Sequence, residues 1–80
     1  RLREMDREDR IRACYQHACL KYVMRAYMTN SSIRERFGID EHNKAQASRI
    51  IKEAVESERI LPYDPKAATK LMKYIPFWAK

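Results

Sequence analysis

Residues 29–60, TNSSIRERFGIDEHNKAQASRIIKEAVESERI, decide the fold, because they read as a short helix, a glycine turn and a longer helix. Thr29, Asn30 or Ser32 can each open the first helix, and Ser32 with Glu35 has capping-box spacing. A helix is expected over residues 31–37, with Ile33 and Phe37 turned inward at i, i+4. Gly38 supplies the left-handed turn that ends it, and Ile39 folds back as an apolar plug. Asp40 then caps a longer helix over residues 41–58. Two helices this closely connected form a helix-turn-helix unit.

In the longer helix Ala47, Ile50, Ile51, Ala54 and Val55 share one side, which leaves His42, Ala45, Gln46, Ser48, Arg49 and Lys52 facing outward. Such a face suits a DNA groove. Arginine and glutamine make bidentate contacts to base edges, whereas serine and lysine hold phosphates. Glu53 and Glu56 lie toward the C-terminal end, where a helix inserted in the groove leaves the duplex.

Upstream, Asp6 is placed to cap a helix whose third position is Asp9, and no glycine or proline interrupts the chain before Gly38. A helix over residues 7–26 follows, with Ile11, Tyr15, Ala18, Cys19, Tyr22 and Ala26 in one apolar stripe. A second stripe, Leu20, Val23, Met24 and Tyr27, adds an apolar face to the C-terminal half. It is covered either by the rest of the domain or by the partner subunit of a homodimer.

Downstream, residues 60–63 and 73–78 read as short extended runs, which Pro62 and Pro76 restrict to sheet edges. Residues 64–70 form a loop, with room for one helical turn started by Asp64 and Pro65. Two extended runs around a basic loop describe a wing, to which residues 27–29 add a third, very short strand. The expected fold class is therefore mainly α with a small β-hairpin, a winged helix-turn-helix of three helices plus wing. Residues 1–9 are a charged lead-in and residues 10–80 the domain.

Eighty residues allow one small domain, which buries only roughly 60% of its unfolded surface, so function is expected on a surface and not in a deep cavity. With 17 Lys+Arg against 11 Asp+Glu, the formal charge of +6 favours a polyanionic partner such as nucleic acid. The chain opens on Arg1, which reads as a segment of a longer protein. It has neither an apolar run approaching the roughly 20 residues of a membrane span nor a signal peptide, so a soluble, cytoplasmic domain without membrane partners is expected. Cys14 and Cys19 lie too far apart around one helix to pair within it and read as small reduced thiols; Cys14 with His17 lacks the further ligands of a metal site. A single glycine cannot build a phosphate-cradling loop, and His17 and His42 have no triad partners, so no enzymatic role and no cofactor is expected of this segment.

YMTNSSIRERFGI, QASRIIKEAVESERI, PYDP and the closing KYIPFWA together resemble the C-terminal winged-helix region of bacterial RecG-related proteins. These are described as ATP-dependent DNA helicases or transcriptional regulators. The resemblance runs from about Arg10 to Ala79 and implies a bacterial or archaeal origin. It also implies a parent protein with a Schlafen-AlbA-type N-terminal domain and an ATPase-like middle region, so that any nucleotide binding belongs to the parent.

The expected DNA contacts are Arg49 and Lys52, then Gln46 and Ser48, with His42 near the helix start. Arg34 and Arg36, with Asn30 and Ser31 at the N-terminus of the preceding helix, are placed for phosphate. Lys66, Lys70 and Lys73 put charge on the wing. For each of them the plain alternative is a solvated surface residue. Tyr63, Tyr74, Phe77 and Trp78 raise base stacking, against which stands core packing, with Phe77 and Ile75 sharing an inward strand face. Two functions remain: a double-stranded DNA-binding module, or a protein-interaction or dimerisation module that never touches DNA.

Overall fold

The computed structural model describes residues 6–79. Helix α1 spans Arg7–Val23 and opens where expected, with the Asp9 N–H donating to the Asp6 carboxylate at 2.9 Å. Residues 7–9 of the charged lead-in are thus its first turn. It stops three residues earlier than the apolar pattern predicts. Arg25 takes a left-handed backbone (φ 63°), and the Arg25 and Ala26 N–H groups bond back to the Tyr22 and Lys21 carbonyls. This is a Schellman-type end built without glycine. The early stop lets Met28 extend, bury completely and pair its backbone with Tyr74.

Helix α2 spans Asn30–Phe37. Of the three candidate caps the fold uses Thr29, and Ser32 completes the box from the third position: Ser32 N–H donates to Thr29 Oγ1 (3.1 Å), Thr29 N–H to Ser32 Oγ (2.9 Å). Gly38 ends the helix at φ 67°, and Ile39 behind it is buried. Asp40 caps as predicted, but first a 3-10 turn, Glu41–Asn43, then helix α3, Lys44–Glu56. A second left-handed residue without glycine, Glu58 (φ 61°), ends α3 before the expected position.

Strands β1 (Ile60–Pro62) and β2 (Tyr74–Pro76) pair antiparallel with Ile60 opposite Pro76, Leu61 opposite Ile75 and Pro62 opposite Tyr74. Flanking bonds run from Tyr63 N–H to the Lys73 carbonyl (2.8 Å) and from Phe77 N–H to the Arg59 carbonyl (3.0 Å). Hydrogen-bonded pairs alternate in such a ladder, so both prolines occupy positions that require no N–H toward the partner strand. The predicted third strand is a single bridge at Met28, closed by bonds to Tyr74 in both directions. In the connecting loop the helical turn forms at Thr69–Leu71 and not at Asp64, which makes a tight turn instead, accepting from Lys66 N–H.

Ile11, Cys14 and Ala18 from α1, Ile33 from α2, Ala47, Ile50, Ile51 and Ala54 from α3, and Met28, Ile39 and Ile60 between elements form the core. The α3 stripe buries the side the helical period assigns to it, whereas on α1 Cys14 joins Ile11 and Ala18 inside, Tyr15, Cys19 and Tyr22 stay half-buried, and the second stripe of Leu20, Val23 and Met24 is exposed. Cys14 faces the Met28 sulfur at 3.8 Å, and burial raises its thiol to about 12. Glu53 ties α3 to α1: its carboxylate lies 3.3 Å from Arg10 Nη2 and 3.8 Å from Arg7 Nε. It is therefore an internal ion-pair partner, not a residue at the exit of a groove.

The chain closes with a 3-10 turn, Phe77–Ala79, laid along α1. Phe77 stacks on Tyr15 (5.8 Å), Trp78 meets Tyr22 edge-on (5.5 Å), and Trp78 Nε1–H donates to the Tyr15 hydroxyl (2.8 Å). Phe77 does not join Ile75 in the interior: the strand ends at Pro76, the alternation of faces ends with it, and Phe77 stays 48% exposed. No helix among the described residues is long and apolar enough to cross a membrane.

Candidate nucleic-acid interface

The first turn of α2, one flank of α3 and the β1–β2 hairpin enclose an open groove of about 770 Å³. Among the described residues Arg34, Lys44, Lys52 and Lys70 line it together with Asn30, Ser31, Ser48 and Thr69, and no carboxylate does. Its floor is apolar, made of Ile51, Val55, Pro62, Met72 and Tyr74. The helical period explains the α3 contribution, since Lys44, Ser48 and Lys52 follow at i, i+4 and i+8 on one flank.

Asn30 organises the groove. Its Oδ1 accepts from Arg34 Nε (2.8 Å), while its Nδ2 donates to Ser48 Oγ (3.0 Å) and to the Lys44 carbonyl (3.3 Å). The amide thus fixes the spacing of α2 and α3 and holds one edge of the Arg34 guanidinium. The terminal nitrogens of Arg34 make no hydrogen bond or ion pair among the described residues. Asn30 and Ser48 are therefore positioning groups, their polar atoms engaged with each other. At this helix end the Ser32 N–H is taken by Thr29, which reduces the donors available to an anion.

Of the residues expected from sequence, the groove unites Asn30, Ser31, Arg34, Ser48, Lys52 and Lys70. Arg49 is exposed on the next stripe of α3, on the same line as Ala45 and Glu56. Gln46 is exposed too, but lies seven residues from Glu53 and so on the α1 side, away from the groove. His42, on the 3-10 turn, keeps its Nδ1 3.6 Å from the Asp40 carboxylate and its ring almost wholly in solvent. The three hairpin lysines diverge: Lys70 enters the groove, Lys66 is exposed at the Asp64 turn, and Lys73 lies over the Tyr27 ring at 5.5 Å. Arg36 sits 5.5 Å over Phe37 and outside the groove. Lys44 and Thr69 were missed. Lys44 was legible, because it stands on the Ser48–Lys52 line; Thr69 depends on the path of the loop.

Burial shifts two titratable groups beside this face. Desolvation raises the Tyr74 phenol, with a smaller contribution from Cys14, so it remains a hydrogen-bond donor on the groove floor. Behind α2, His17 Nε2 is 3.0 Å from Ser32 Oγ, and its ring is held below its ordinary value by desolvation first, then by Lys21 and Arg36. Cys14 and His17 thus point to different neighbours, and the described residues contain no group of three metal-ligating side chains. Comparison with protein-family models, with curated proteins and with solved structures finds no match to the chain.

Proposed function

We propose that this is a winged helix-turn-helix domain that binds double-stranded DNA, with α3 as its recognition helix and the β1–β2 hairpin as its wing. The observation that carries the reading is the groove itself: among the described residues four cations from α2, α3 and the hairpin converge on one surface that no carboxylate lines. A phosphate backbone entering there meets Arg34 and Lys70 from opposite walls and Lys44 and Lys52 from the helix. Arg49, one stripe further round, is then presented to base edges, where a guanidinium reads guanine O6 and N7. Gln46 and His42 are assigned a peripheral part because they lie off this line. The resemblance to the C-terminal region of RecG-related proteins agrees with a DNA-positioning role within a larger cytoplasmic protein, the domain itself carrying out no chemistry.

The test is fluorescence anisotropy of a labelled random duplex titrated with the domain and with its Arg34→Glu/Lys52→Glu variant. The expected result is binding by the parent domain and its loss in a variant that melts at the same temperature. Equal affinity of the two proteins would remove the groove as the DNA surface.

A further inference from the structure

We propose that the C-terminal half of α1, with the closing 3-10 turn, is a docking surface for an acidic amphipathic helix of another protein. Among the described residues seven large hydrophobic side chains are exposed, and two of them, Val23 and Trp78, line one depression at the C-terminal end of α1. Leu20, Val23 and Met24 project from α1 with 56–68% of their surface in solvent. Phe77 and Trp78 cover Tyr15 and Tyr22, and Tyr63 stacks on Tyr27 at 4.6 Å.

Shape and charge select the occupant. Between Tyr22, Val23, Ala26, Tyr27 and Trp78 the surface sinks into a depression of about 420 Å³, room for an inserted apolar side chain. A concave, aromatic-walled site takes an anchor residue from a helix, as helix-in-groove recognition does. Among the described residues the charges at its rim are positive: Arg25 lines the depression and Lys73 sits over Tyr27, and no described carboxylate side chain lines it. Arg25 has no ion-pair partner among the described residues and is exposed. In a twofold dimer each copy brings the same cationic rim and the same formal charge of +6. A second copy is therefore disfavoured, and a helix alternating leucine-type anchors with glutamates is the complementary surface. None of these residues lines the cationic groove, so the inference does not depend on DNA binding.

Trp78 is the single tryptophan and stands at the rim, so it reports occupancy directly. The probe is an amphipathic peptide of roughly 18 residues, five helical turns of leucine and glutamate at 3.6-residue spacing, with its leucine and lysine counterpart as control. The leucine–glutamate peptide is expected to change Trp78 emission saturably and the control to leave it unchanged. Arg25→Glu should weaken the response by about tenfold or more, as removal of a charge partner at an interface does. Val23→Asp should abolish it while leaving the thermal melt in place, because Val23 is 68% exposed. No response to the acidic peptide, equal response to both peptides, or unchanged affinity of Arg25→Glu would overturn the proposal. So would a dimer of the chain alone in sedimentation, which would make a second copy the occupant, or a stronger response to phosphatidylglycerol vesicles than to the peptide.

Discussion

Removing one groove lysine should change how DNA binding responds to salt, by an amount that the geometry fixes. Four cations, Arg34, Lys44, Lys52 and Lys70, line the groove. If each neutralises one phosphate, log K should fall with log salt at a slope of about −3.6, and affinity should drop about 150-fold from about 50 to about 200 mM salt. Lys52→Ala leaves three contacts, a slope of about −2.7 and a drop of about 40-fold over the same range. The fold should not change, since Lys52 is exposed and absent from the core. Anisotropy titrations of one duplex at five or so salt concentrations give the slope directly. Arg49→Ala is the internal contrast: as a base contact it should weaken binding to a preferred sequence by about 1–3 kcal/mol and relax the preference there. A parent slope shallower than about −2, or an identical slope for Lys52→Ala, would refute the placement of phosphates in the groove.

Three further outcomes test the packing. Ile33 is completely buried where α2 meets the core, so Ile33→Ala should cost about 2–5 kcal/mol in urea unfolding; a loss under about 1 kcal/mol would mean that the site collapses around the cavity. Arg25→Gly and Glu58→Gly each place the residue best suited to a left-handed backbone at φ 63° and 61° and should raise stability by about 0.5–1 kcal/mol, read as a higher melting temperature. For His17, held below its ordinary 6.5, the unfolded chain takes up the proton first as pH falls; its contribution is whole above 6.5 and is lost as pH drops through the lower folded value. His17→Gln should therefore flatten the acid side of the stability profile, and identical pH profiles of the two proteins would show that burial of this ring does not matter.

What could be read from sequence was what rests on local chemistry. Gly38, the only glycine, marks its own turn because no other residue adopts that backbone as cheaply, and Asp6 and Asp40 announce helix starts because a carboxylate accepts from an unbonded N–H. The buried flank of α3 followed from period alone. Arg25 and Glu58 were illegible as helix ends: neither type prefers the left-handed region, and tertiary contacts impose it so that Met28 can reach Tyr74 and β1 can reach β2. The site was half legible for the same reason. Lys44, Ser48 and Lys52 are set by one helix, whereas whether Lys66, Lys70 or Lys73 turns toward the groove depends on a loop with no period to read. Asn30 looked like a phosphate ligand because its role as a tie exists only once α2 and α3 are docked.

The positions of Pro62 and Pro76 bear on what this small sheet does in a crowded solution. Leu61 spends its backbone groups on β2, so the open side of β1 presents only the outward groups of Ile60 and Pro62, and Pro62 has no hydrogen to donate. A stray extended chain approaching that edge finds one amide donor and no continuous ladder to extend. With the far edge of β2 bridged by Met28 at Tyr74, β1 is the edge left to guard, and the hydrogen that Pro62 lacks is its safeguard against edge-to-edge aggregation.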